Sequence, residues 1–373
     1  MYHICSMEII YAMALTRVHG IGPVTARRLV AHCGSAEAVF KAPPAELMDI
    51  EGVNALAAQE ISQEKYCSEA EKEFQYAQDQ GIQMLLPNHP GYPRRLKHCE
   101  DAPLVLFQKG PTQLNASRCL AIVGTRSATT YGYDFLAGFT SDLKDYGVLI
   151  ISGLAYGIDA AAHQEALDSG LDTVAVMAHG LDRVYPYLNR GLSERMLAQG
   201  GSLLSEFFSG SKPDRENFPK RNRIIAGMSD AVLVVEAGKK GGALITAELA
   251  NSYHREVFAL PGPYHAPYSA GCNHLIKSHQ ASLLTGVKDL EYILGWTRME
   301  AKAQEMQTTL FADLKGDEGA LYTLLEAANH AQTLDALCHQ LDWSVSKTLA
   351  VLMNLELKGL IRTLPGKRYQ KKP

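Results

Sequence analysis

Five apolar runs of strand length recur between residues 117 and 286: CLAIV (Cys119 to Val123), VLIIS (Val148 to Ser152), TVAVM (Thr173 to Met177), AVLVVE (Ala231 to Glu236) and EVFAL (Glu256 to Leu260). A strand without polar alternation is covered on both faces. Runs of this kind, several of them separated by helical stretches, predict a parallel sheet between two layers of helices, a Rossmann-like α/β core. Ligands of such sheets bind beyond the carboxyl ends of the strands.

Those ends carry glycine turns. GTRSATTYG (Gly124 to Gly132) follows the first run, SGLAYGID (Ser152 to Asp159) the second, and EAGKKGGALITAE (Glu236 to Glu248) the fourth. Each opens a helix, so backbone amides and positive helix ends should converge on one rim, with Arg126 placed to reach the same anion. Gly-x-Gly-x-x-Gly is absent from the first turn and there is no Walker A segment, which argues against a dinucleotide or triphosphate cofactor; none is expected.

Before the fourth run lies KPDRENFPKRNRIIAG (Lys212 to Gly227). Five of its residues are cationic (Lys212, Arg215, Lys220, Arg221, Arg223) against two acids, and Phe218 stands among them. Phosphates need cationic donors and an unpaired base needs a flat apolar partner, so the mixture reads as a contact for single-stranded nucleic acid. The other reading is a solvated loop capping the sheet. Because the chain has 36 Lys and Arg against 40 Asp and Glu, a net charge of −4, any such binding has to come from local patches.

Candidates for catalysis and metal binding are weak. Asp159 and His163 stand four residues apart, as an acid–base pair or as neighbours pairing on one helical face. Glu248 reads as a catalytic carboxylate or as an anchoring acid. Cys272 and His274 are too few for a metal site. The seven cysteines form no C-x-x-C pair, there is no basic leader with a cleavage site, and no apolar run has the length of a membrane span. The expectation is a cytoplasmic protein without metal or membrane contact.

The flanks differ from the core. Residues 7–80 show helical periodicity broken by glycine turns; VHGIGPVTARRLV (Val18 to Val30) has the pattern of a helix-hairpin-helix, and a weaker copy is centred on Gly52. The hairpin serves either a DNA backbone or packing. Residues 81–110 carry Pro87, Pro90, Pro93 and Pro103, and read as a linker ending in an edge strand, Leu104 to Phe107. A polar linker, 291–316, leads to three helical segments and a cation-rich end with Pro365-Gly366 as a turn. That is the order of a winged helix, with Thr333 and Ser344 as caps and Leu349, Leu352 and Leu355 as core. From Lys358 onward there are six cations and no acid, which suits DNA, although winged helices also bind proteins. The expected domains are 7–80, 81–290 and 317–373, joined by the linker.

GTR (Gly124 to Arg126), SGLAYGIDAAAH (Ser152 to His163), GLDRVYP (Gly180 to Pro186), NFPKRNRIIAG (Asn217 to Gly227), GGALITAELA (Gly241 to Ala250) and LPGP (Leu260 to Pro263) together resemble the DNA-processing protein A family, DprA, also called Smf. The resemblance covers roughly residues 81–286. It implies a non-enzymatic protein that binds single-stranded DNA on the Rossmann-like domain, dimerises through that domain, and hands the strand to a RecA-type recombinase during natural transformation. By motif match it assigns the DNA contact to Gly124, Arg126, Ser152, Gly153, Lys212, Arg215, Phe218, Lys220, Arg221, Asn222, Arg223, Lys240, Gly241 and Gly242. Gly242 stands where relatives often have serine, so that turn offers backbone amides only. An alternative is a nucleotide enzyme resembling the lysine-decarboxylase-like phosphoribohydrolases. GGALITAE keeps their two glycines, threonine and glutamate but has Ile245 in place of a glycine.

Overall fold

The computed structural model describes residues 2–61, 63–299, 316–328, 331–358, 360–364 and 366–371. The chain forms two compact units, Met1–Arg298 and Met299–Pro373. Most of the expected linker, together with Pro365 of the expected turn, lies outside the described residues.

The first unit begins with six helices: α1 (Tyr2–Arg17), α2 (Pro23–Cys33), α3 (Ala36–Lys41), α4 (Pro44–Met48), α5 (Ala55–Ile61) and α6 (Glu64–Asp79). The turns after α1 and α4 are the two expected hairpins, with left-handed Gly20 and Gly52. These helices do not stand apart from the sheet. Leu15, Leu29 and Val39 belong to the same hydrophobic core as Val105, Phe107, Met177 and Leu203. Polar contacts fasten the same junction: Arg27 Nη1 donates to the Cys99 carbonyl at 2.5 Å, and Glu73 accepts from the Ser209 amide at 2.8 Å.

The sheet has nine strands: β1 (Gln83–Leu85), β2 (Leu106–Lys109), β3 (Arg118–Val123), β4 (Val148–Ser152), β5 (Thr173–Val176), β6 (Ser202–Ser205), β7 (Ala231–Val234), β8 (Glu256–Ala259) and β9 (Ser282–Leu283). Its order is β1-β2-β6-β5-β4-β3-β7-β8-β9. From β6 to β9 all pairings are parallel, and β1 and β2 add antiparallel strands beyond β6. The chain moves outward from β3 to β6, returns to the middle at β7 and continues the other way, so the topology switches between β3 and β7. Alternate residues of β3 explain its unbroken apolar run: Leu120 and Ile122 pack on one face, Ala121 and Val123 on the other.

Two expectations about the sheet need correcting. The predicted edge strand, Leu104 to Phe107, is found at Leu106–Lys109, and it is internal because Gln83–Leu85 pairs outside it. Strand β6 was not foreseen. Its sequence, SLLS, begins and ends in serine, yet all four residues are buried, because Ser202 Oγ accepts from the Thr112 amide at 2.9 Å and Ser205 Oγ donates to the His179 carbonyl at 2.7 Å.

The remaining helices of this unit are the one-turn α7 (Arg94–Lys97), then α8 (Thr130–Leu143), α9 (Ile158–Asp168), α10 (Arg190–Ala198), α11 (Asn217–Met228), α12 (Gly242–Ser252), α13 (Ala270–Lys277) and α14 (Val287–Leu294). Helices α8 and α9 cover one face of the sheet through Leu136, Phe139, Ile158 and Ala162. Helices α11 and α12 cover the other through Ile224, Ala226, Ala243 and Ala247.

The second unit holds α15 (Asp317–Ala327), β10 (Gln332–Thr333), α16 (Leu334–Leu341), α17 (Val345–Leu357), β11 (Ile361–Leu364) and β12 (Arg368–Lys371), with a three-stranded sheet in the order β10-β12-β11. Thr333 Oγ1 accepts from the Ala336 amide and Ser344 Oγ from the Lys347 amide, each at 3.3 Å, so both expected caps are made. Leu352 and Leu355 are core, but Leu349 is 41% exposed. With Val345 and Met353 it forms an uncovered row at i, i+4 and i+8 along α17.

Candidate nucleic-acid interface

Strands β3 and β7 send their chains to opposite faces of the sheet, and a crevice opens where they part. It is a cleft of about 310 Å³ lined by the turns after β3, β4 and β7 and by the first turns of α11 and α12. Gly124, Arg126, Phe218, Lys240, Gly241 and Gly242 all border it, so residues far apart in the chain meet on one rim. The Arg126 guanidinium carbon lies 5.4 Å from the Phe218 ring centroid, and the ring is half-buried with one side toward the cleft. Cation and plate are held together, as phosphate and base require.

The turn carrying Arg126 is braced from beneath. Glu236, at the end of β7, is buried; its carboxylate accepts from the Thr129 amide at 2.8 Å and from Thr129 Oγ1 at 2.7 Å, and its own carbonyl accepts from the Thr125 amide at 2.6 Å. Opposite them, Gly157 has φ +73° and a Cβ there would strike the backbone of Thr125 and Arg126, so only glycine lets the two turns close.

Under the rim the predicted RNR residues have structural partners. Arg221 is buried: Nη1 donates to the carbonyls of Gly153 and Val176, both at 2.6 Å, and Nε to Asn222 Oδ1 at 3.0 Å. Asn222 Nδ2 donates to the Gly242 carbonyl at 3.3 Å. The pair ties the ends of β4 and β5 to the start of α12, while both side chains still border the cleft floor. A Cβ on Gly153 would collide with the Arg221 guanidinium. Burial pulls Arg221 down to about 10, with Asp159 opposing that and Arg126 adding to it, so the floor stays cationic at neutral pH. Burial also raises the Asp159 carboxyl, against the pull of Arg221.

Other expected contacts are turned elsewhere. Ser152 is buried and its Oγ donates to the Ile122 carbonyl at 2.6 Å, inside the sheet. Arg223 is buried in an ion pair with Glu206 and donates to the Asp101 carbonyl. Lys212 and Lys220 are exposed but face a different cleft, on the far side of α11, and Arg223 borders that one too. Arg215 is exposed and joins Phe218 in an open extension of the first cleft. The sixteen-residue stretch is therefore not one basic surface, because helical periodicity in α11 sends positions 218, 221 and 222 one way and 217, 220 and 223 the other.

His163 does not pair with Asp159. Its Nδ1 lies 2.7 Å from Thr173 Oγ1, its Nε2 is buried without a partner, and burial pulls it down to about 3. Glu248 is exposed on the outer side of α12, lining an open groove, and does not border the first cleft. Cys272 is buried, with Sγ 3.5 Å from the Val234 carbonyl, and burial pushes its thiol up to about 12.

The sequence reading missed three residues at the rim. Tyr185, in GLDRVYP, is 44% exposed with its ring centroid 6.2 Å from that of Phe218, and Tyr156 borders the same recess. Glu236 is the third. The signal available for the two tyrosines was an aromatic inside a motif that also carries a glycine, Tyr156 immediately before Gly157 and Tyr185 before Pro186 in GLDRVYP; Glu236 reads in sequence only as the polar end of a strand.

Residues 83–294 match the family described as DNA recombination-mediator protein A, residues 306–367 match the DprA winged helix domain, and residues 12–64 match a SAM-like helix-hairpin-helix tandem. The chain belongs to the DNA recombination-mediator protein A family. Protein Smf of Synechocystis is 35% identical, over 97% of this chain and 98% of that protein. The X-ray structure of DprA from Streptococcus pneumoniae superposes with a TM-score of 0.65 at 31% identity, covering 79% of this chain and 99% of that one. A structure of DprA from Helicobacter pylori, described for its single-stranded DNA binding mode, superposes with a TM-score of 0.52 at 28% identity, over 58% of this chain and 97% of that one. The three-part DprA architecture, with a helix-hairpin-helix region, a Rossmann-like sheet and a winged helix, is thus present here. Among the described residues no helix is long and apolar enough to cross a membrane, and no group of three or more His, Cys, Asp or Glu side chains could hold a metal ion.

Proposed function

We propose that this chain binds single-stranded DNA along the rim between β3 and β7, and that it does so as a homodimer, joined through the Rossmann-like region, that loads a RecA-type recombinase during natural transformation. The observation that carries the binding step is Arg126 held over the ring of Phe218 at the switch point of the sheet. The Helicobacter pylori relative, described for its single-stranded DNA binding mode, supports the same ligand. Dimerisation, recombinase loading and the cytoplasmic setting rest on the family resemblance. The protein acts in this reading by binding alone. A phosphoribohydrolase would need its carboxylate in the cleft, and Glu248 stands outside it.

A gel-shift competition between single-stranded and duplex DNA tests the binding step. Single strands should compete far better, and affinity should fall with salt at a log-log slope of about −0.7 per phosphate neutralised. Equal competition by duplex, or binding indifferent to salt, overturns it. Light scattering of the full chain tests the dimer, and strand exchange by a RecA-type recombinase, with and without the protein, tests loading.

A further inference from the structure

The first turn of α11 is a ridge between two clefts. Phe218 borders the one at the sheet rim, and Asn217 and Lys220 border a second of about 490 Å³. One wall of the second cleft belongs to the helical region, with Thr16 and Arg17 at the end of α1 and Ile21 in the hairpin turn. The other belongs to the basic stretch, with Lys212 and Lys220; half-buried Phe207 adds aromatic surface, while Phe208 is buried in the core. Its volume lies in the range of about 300–1,000 Å³ that holds small ligands.

Its charge is unbalanced. Lys212 and Lys220 have no ion-pair partner among the described residues, and Arg17 meets Glu69 only at 3.6 Å, with both side chains about half exposed. The Arg17 guanidinium carbon lies 5.3 Å from the Phe208 ring centroid. Arg223 is neutralised by Glu206, which leaves Asp214 as the one unpaired acid on the lining among the described residues. Unpaired lysines and the half-buried Phe207 ring on one lining offer the same kinds of group as the rim, cations for phosphate and a flat face for a base. A helix is only about 10–12 Å across with its side chains, and Pro219 at the crest is exposed, so a flexible polyanion in the first cleft can pass over into the second.

We infer that this cleft is a second nucleotide subsite, in which a single strand held at the rim crosses the first turn of α11 and lays its next bases between the helical hairpin and the basic loop. The inference rests on the rim reading and extends it: the helix-hairpin-helix region takes part in single-strand binding through the wall it contributes.

Fluorescence anisotropy with labelled thymidine oligomers of about 6 and about 20 nucleotides, lengths that bracket usual site sizes, separates the two clefts. In the full-length protein, Arg17→Glu and Thr16→Trp should leave the affinity for the short oligomer within about twofold. They should weaken the long one by about tenfold and lower its salt slope by about 0.7 for each phosphate no longer neutralised. A loss equal at both lengths, or none at either, overturns the subsite. Arg126→Ala is the separate control: it should weaken both lengths, and if it weakens neither, the rim reading fails whatever the cleft variants do. Photocrosslinking of wild-type protein to oligomers carrying 5-iododeoxyuridine does not depend on the variants' folding. Crosslinks in the peptide containing Phe207 and Phe208 support the subsite; crosslinks confined to Phe218, Tyr156 and Tyr185 overturn it. A cleft that takes a protein instead would leave every oligomer affinity unchanged, which also overturns it.

Discussion

The sheet rim and the winged unit are both rich in cations, but three lysines of the winged unit are held by acids, whereas Arg362 there donates to Gln370. In the winged unit Lys358 Nζ lies 2.5 Å from Glu318 Oε2, Lys347 Nζ lies 2.8 Å from Asp317 Oδ2 above the ring of Trp343, and Lys371 pairs with Glu326. All three acids come from α15, far upstream of the acid-free tail. At the rim, Arg126, Arg215 and Lys240 have no acidic partner among the described residues, and the rings that line it, Phe218 and Tyr185, are half-buried and partly exposed respectively. A cation already neutralised has less to offer a phosphate, so counting charges along a sequence window does not measure anion affinity. Where the opposing charges fold to does.

The largest expected effect sharpens this contrast from beneath the rim. Arg223→Ala leaves Glu206 buried without its partner and should cost about 3–5 kcal/mol of stability, seen as a lowered denaturation midpoint. Arg126→Ala should leave that midpoint unchanged. Next, Phe218→Ala should remove about 1–3 kcal/mol of single-strand affinity, measured by titration at fixed salt. If it binds as wild type, the ring is not a stacking plate and the rim loses its advantage over the winged unit.

A pH effect of similar size concerns the layer under the rim. Burial keeps His163 neutral in the fold down to about pH 3, whereas the unfolded chain protonates it near 6.5. The unfolded state then binds more protons between those values, so this residue's contribution is intact above pH 6.5 and stability falls by about 1.4 kcal/mol per unit below it. His163→Gln should flatten that part of the stability-versus-pH curve; an unchanged slope means the acid sensitivity arises elsewhere. Smallest of all, Lys358→Ala and Lys371→Ala should change single-strand affinity by less than about twofold, since surface pairs of this kind are weak and already occupied. A larger loss would place the winged unit on the DNA and break the comparison.

Much of the fold was legible because burial on both faces writes a strand as an unbroken apolar run, as in β3, β4 and β7. Strand β6 was not, because its serines are satisfied by Thr112 and His179, partners that no local pattern announces. The site was legible in part. The glycine turns with Arg126, Phe218, Lys240 and Gly242 are where strand-end logic puts them. The stretch from Lys212 to Gly227 reads in sequence as a loop and helix start, but its helical phase does not, and that phase turns neighbouring cations of α11 to different clefts. Leucine spacing places Leu349 with the core leucines, yet the 3.6-residue period leaves it on the outer row with Val345 and Met353.

The ridge at the start of α11 also sets a rule for how this stretch can change length. Each residue in a helix advances the chain by about 100° around its axis, so one insertion or deletion between Phe218 and Arg223 would swing the ring away from Arg126 or draw the buried arginine off Glu206. Upstream of Asn217 the loop carries no such phase, and residues there can be gained or lost without altering which way the two sets of side chains look.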